Sequence, residues 1–93
     1  MATILVVDNE LDILNLLRYN LEREQYRALT TDNGAEGLSI ARQHSPDAIV
    51  LDIRMPGVDG YTVLKELRAD PRTKMIPVLV LSAMSSLDDR LFG

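Results

Sequence analysis

Residues 48–60 read AIVLDIRMPGVDG. The apolar run 48–51 fits a short strand, Asp52 closes it, and Pro56, Gly57 and Gly60 mark the next stretch as a loop. A helical repeat then carries Val63, Leu64 and Leu67. The same strand, loop and helix order recurs on either side. Residues 4–7 are too few for a free helix and rich in β-branched side chains, so they read as a buried strand. Leu11, Leu14, Leu17 and Leu21 come next at helical spacing, with Asp8 or Asn9 available as N-cap and Glu10 in the first turn. Residues 26–31 form a weaker strand. Residues 32–34 turn into a second helix through Ala35, Leu38 and Ala41, which stops before Pro46. Pro77 opens a last strand, 78–81, whose side chains are apolar on both faces and are expected to be covered on both. Residues 85–93 begin a fourth helix with Ser86 as a possible cap. Alternating strands and helices of this kind imply βαβ units and a parallel sheet.

Composition narrows the functional classes. The 93 residues suit one domain, 1–93, of which about 60 to 65% of the unfolded surface would be buried. With 46% hydrophobic and 26% charged residues, a packed core is expected. The net charge of -4, without a Lys/Arg cluster, argues against a nucleic-acid or anionic-membrane surface. No cysteine is present, so a thiolate metal site and a disulfide framework are both excluded. No signal-peptide core or bilayer-length apolar run is visible, and a cytoplasmic protein is expected.

Ligands of open parallel sheets bind beyond the carboxyl ends of the strands. Polar residues end three of the four: Asp8 and Asn9, Asp52, and Ser82. Each has a plainer role available, since Asp8 and Asn9 can cap a helix, Asp52 can open a turn, and Ser82 can do either. Together at one edge they favour a site. Two carboxylates ~4 Å apart at an effective dielectric of ~20 repel by roughly 4 kcal/mol, so the cluster calls for a proton or a cation. Oxygen donors without His or Cys point to a hard ion, Mg²⁺ above all.

The three segments ILVVDNE, VLDIRMPGVDG and PVLVLSA, in that order, resemble the receiver domains of two-component response regulators, over the whole chain. The resemblance implies a flavodoxin-like doubly wound α/β sheet with strand order 2-1-3-4. It implies Asp52 as phosphoacceptor, with Mg²⁺ held by Asp8, Asn9, Asp52 and the Arg54 backbone carbonyl. It also implies Ser82 as the switch hydroxyl that bonds the phosphoryl group, and a sensor histidine kinase or phosphotransfer protein as donor.

Two departures stand out. Asn9 replaces the usual second acid, so cation binding is expected to be weaker. The family's fifth strand, with its lysine, and its fifth helix have no counterpart in these residues, and neither Lys65 nor Lys74 substitutes. Phosphotransfer is therefore expected to be poor or absent, and the chain to be a C-terminally truncated or engineered fragment. An open apolar edge at the fourth strand is expected to drive homo-oligomerisation or strand swapping. Two other readings are a pseudo-receiver that serves as an assembly module and a Mg²⁺-dependent phosphatase with an aspartate nucleophile. The phosphatase type wants an aspartate where Arg54 stands, and a signalling module rather than an enzyme is preferred.

Overall fold

A computed structural model describes residues 1–54 and 60–81. The elements run in the order β1 (Thr3–Val7), α1 (Leu11–Arg23), β2 (Arg27–Thr31), α2 (Gly34–His44), β3 (Ala48–Leu51), α3 (Gly60–Ala69) and β4 (Val78–Val80). All strand pairs are parallel, in the order β2-β1-β3-β4. The expected topology is therefore observed. The fourth helix and Ser82 lie outside the described residues.

Strand alternation sorts the side chains. Leu5, Val7, Ile49 and Leu51 project to one face, where they pack with Ala41 of α2 and with Val63 and Leu67 of α3. On the opposite face α1 lies against β1 and β2. There Ile4, Leu21, Tyr26, Ala48, Val50 and Leu79 border a hollow of about 390 Å³. Leu79 is 63% exposed, which corrects the expectation that β4 is covered on both faces. Among the described residues α1 packs over β1 and β2.

Local chemistry sets the helix ends. Asn33 Oδ1 accepts from Glu36 N at 2.9 Å and caps α2. Helix α1 ends where Gln25 takes a left-handed φ of 67°. Gln25 N then donates to Glu22 O and Tyr26 N to Leu21 O, which satisfies carbonyls that the last turn would otherwise leave open. The N-cap of α1 is Glu10, without a side-chain bond, instead of the expected Asp8 or Asn9. Asp8 is not idle, however, because its Oδ1 accepts from Glu10 N at 2.8 Å.

The amino-end side of the sheet is tied by ions. Asp70 Oδ2 accepts from Arg42 Nε and Arg72 Nη2, each at 2.9 Å. Buried Thr73 donates to Leu67 O at 2.7 Å and fastens the turn after α3.

Candidate functional site

The candidate site grows out of strand register. Val7 pairs with Leu51 at the carboxyl ends of β1 and β3. The ladder then runs one step further: Asp52 N donates to Val7 O at 2.9 Å, and Asp8 N donates to Thr31 O at 3.1 Å. Because side chains alternate, the step after the paired Val7 and Leu51 turns Asp8 and Asp52 the same way on neighbouring strands. Burial, foremost, raises the Asp8 carboxyl above its usual range; the amide of Glu10 opposes this, while the charges of Asp52 and Glu10 add to it.

Each acid has one oxygen committed to its own loop. Asp8 Oδ1 holds Glu10 N, and Asp52 Oδ1 accepts from Arg54 N at 2.9 Å. Turns of this sort fix the carboxylate plane through the backbone two residues on. Asp8 is only 3% exposed whereas Asp52 is half-buried. One acid is thus sunk below the other, which meets solvent. Asn9 and Arg54 are exposed at the rim. Asn9 also borders a hollow of about 270 Å³ with Thr31, Asp32 and Glu36.

The described residues hold no cluster of three His, Cys, Asp or Glu side chains fit to bind a metal. The edge carries the Asp8 and Asp52 carboxylates, with Asn9 and Arg54 at its rim. Oxygen groups of this kind suit a hard divalent ion that retains several waters. Among the described residues no Lys or Arg forms an ion pair with either acid.

Two features escaped the sequence reading. Glu10, noted only as a first-turn acid, supplies the amide that holds Asp8 and a charge that raises it. Gly60, read as part of the loop, is the first residue of α3 and touches the backbone of Asp52 and Ile53. The glycine in VDG was the available signal, but a breaker and a close-approach glycine look alike in sequence.

The sequence model of the response regulator receiver domain matches residues 4–92. The DNA-binding dual master transcriptional regulator RpaA of Synechocystis sp. is 41% identical over 93 residues, covering 100% of this chain and 39% of RpaA. Protein PilH of Pseudomonas aeruginosa is 34% identical, covering 100% of this chain and 77% of PilH. The solved receiver domain of sensor histidine kinase PA1611 from Pseudomonas aeruginosa has a magnesium ion coordinated in its active site cleft. It superposes with a TM-score of 0.85 at 28% identity, over 97% of this chain and 74% of that one. The chain thus spans well under half the length of RpaA.

Proposed function

The chain belongs to the response regulator receiver domain family, and from that premise we propose that Asp52 accepts a phosphoryl group from a sensor histidine kinase or phosphotransfer protein. Asp8, Asn9, Asp52 and the Arg54 carbonyl hold Mg²⁺, and Ser82 bonds the phosphoryl group. The observation that carries this reading is the shared step by which Asp8 and Asp52 overrun β1 and β3 side by side, with burial and the neighbouring charge raising Asp8.

Asp52 Oδ1 is occupied by the Arg54 amide, which leaves Oδ2 to attack. Oδ2 forms a bond to phosphorus as the bond from phosphorus to the donor's imidazole nitrogen, or to acetate oxygen in acetyl phosphate, breaks and its electron pair leaves with the donor. Bound Mg²⁺ supplies neutralisation of the charge on the transferring oxygens. Asp8 shapes the cation pocket from below, and the Arg54 amide keeps the nucleophile from rotating away. The product adds charge and acceptors at the sheet edge, which is a signal rather than a turnover.

This places the protein among signalling modules; an aspartate-nucleophile phosphatase is disfavoured by Arg54, two residues after Asp52. The cysteine-free sequence suits the cytoplasm. Among the described residues no helix is long and apolar enough to cross a membrane. A second reading, an assembly module without phosphorylation, draws on Asn9 and on the exposed Leu79 of β4, across which two copies would pair.

Beryllofluoride with Mg²⁺ separates the two. Amide spectra of the unsubstituted protein should shift around Asp8, Asp52 and Arg54, and those of Asp52→Asn should not. Identical responses from both proteins, or none from either, would overturn the phosphoacceptor reading.

A further inference from the structure

Gly60 begins α3 pressed against main chain, not side chains. A Cβ placed there would stand 2.2 Å from Ile53 Cα, 2.7 Å from Ile53 O and 2.8 Å from Asp52 O. Main-chain atoms cannot swing aside as a flexible side chain does, so a methyl group at 60 must move the chain itself. The Gly60 amide meanwhile donates to Ile53 O at 3.1 Å. The chain that leaves the sheet at Ile53 therefore returns to it at Gly60, and the neck of that loop is closed by one hydrogen bond and one missing Cβ. Arg54 is the first residue inside the neck, and its amide is already bound to Asp52 Oδ1 at 2.9 Å.

We propose that Gly60 is a positioning residue that sets which size of cation the Asp8 and Asp52 pair admits, an inference that rests on the reading of this edge as a Mg²⁺ site. By letting α3 seat on the Ile53 main chain, Gly60 fixes how far the Arg54 carbonyl stands from the two carboxylates. Mg²⁺ requires near-octahedral oxygens at about 2.0 to 2.1 Å, whereas Ca²⁺ accepts irregular shells at about 2.3 to 2.6 Å. Restoring an ordinary contact at the 2.2 Å approach displaces main chain by more than the difference between those two shells. Widening the neck therefore costs Mg²⁺ its carbonyl ligand before it costs Ca²⁺ the same ligand.

The test follows amide shifts of Asp8, Asp52 and Arg54 in Gly60→Ala and in the unsubstituted protein, titrated with Mg²⁺ and separately with Ca²⁺. Circular dichroism checks the fold. Gly60→Ala should weaken Mg²⁺ binding about tenfold more than Ca²⁺ binding, within the range that supporting residues of metal sites exert. Equal weakening of both ions, or of neither, in a folded variant overturns the proposal. If the variant does not fold, hydrogen exchange on the unsubstituted protein decides, because coupling is reciprocal. Saturating Mg²⁺ should slow exchange of the Gly60 amide more than saturating Ca²⁺ does, and an unchanged Gly60 rate beside shifted Asp52 and Arg54 amides overturns the proposal. Absence of any shift with either ion in the unsubstituted protein removes the metal reading instead, and this inference with it.

Discussion

Replacing Asp8 by Asn should stabilise the metal-free protein at neutral pH. The side chain is 3% exposed, and its carboxyl is raised by burial, with the Asp52 charge contributing. Neighbouring strands lie roughly 4.8 Å apart, so two charges there repel by roughly 3 kcal/mol at an effective dielectric of about 20. Solvent around the half-buried Asp52 reduces this to roughly 1 to 2 kcal/mol. Asn keeps the oxygen that accepts from Glu10 N, so the turn survives while the charge goes. For a domain of this size the gain corresponds to a melting temperature higher by roughly 4 to 15 °C. The direction with pH comes from the raised carboxyl: the fold prefers protonated Asp8, so stability is fully present below the usual 3.8 and declines as pH rises through the higher folded value. The advantage of Asp8→Asn should accordingly be absent in acid, open above about pH 4, and shrink when Mg²⁺ is added to the unsubstituted protein. Thermal melts with chelator, from pH 3 to pH 8, measure it. An unchanged or lower melting temperature for Asp8→Asn at pH 7 refutes the claim that the two acids strain one another.

Other expectations concern the rim, the sheet edge and the opposite end of the fold. Asn9→Asp should tighten Mg²⁺ by about fivefold, equivalent to about 1 kcal/mol for one more charge at an exposed position, as read by titration of the Asp52 amide; unchanged affinity removes Asn9 from the donor set. Leu79→Lys should abolish concentration-dependent association in light scattering, because it sets a charge on the 63% exposed edge position; a concentrated unsubstituted protein that scatters as a monomer sinks the pairing idea. Asp70→Asn should lower the melting temperature at neutral pH. Hydrogen bonds from Arg72, and then from Arg42, hold the Asp70 carboxyl down at about 2, so its contribution is present above 3.8 and lost as pH falls through about 2. A deficit in Asp70→Asn that persists at pH 2 contradicts that assignment.

The sequence disclosed the sheet more fully than the surfaces around it. Strand β3 was legible to its ends because polar Asp47 and Asp52 bracket an unbroken apolar run, and the Asp8 and Asp52 tips were legible for the same reason. Leu11 was not: it shares the spacing of Leu14, Leu17 and Leu21 yet is 68% exposed. It opens α1 beyond the end of β1, where the first turn has no sheet beneath it, and periodicity does not report where a neighbour stops. Leu79 misled for a related reason, since the unbroken apolar run 78–81 fits an internal strand and only packing decides what covers it. Asp8 was offered as either a cap or a ligand. The structure gives one oxygen to the Glu10 amide and the N-cap to Glu10 itself, and it leaves the carboxyl group within reach of the Asp52 charge.

Parallel pairing is what makes an acidic pair possible at this edge. In an antiparallel pair the ends of β1 and β3 would lie at opposite edges of the sheet, whereas here Val7 against Leu51 delivers the next residues to the same place. A slip of one residue would turn every side chain of the strand to the other face and take Leu5 and Val7 out of their packing with α2 and α3. Leu5, Val6, Val7, Ile49 and Leu51 are each at most 1% exposed, and burial of such side chains contributes roughly 1.5 to 3 kcal/mol apiece. Five of them exceed several-fold the roughly 1 to 2 kcal/mol by which the acids above them repel. The register is therefore set by the apolar ladder and not by the acids, which are carried into proximity whether or not their charge is neutralised. An edge built this way keeps its geometry while its charge state changes.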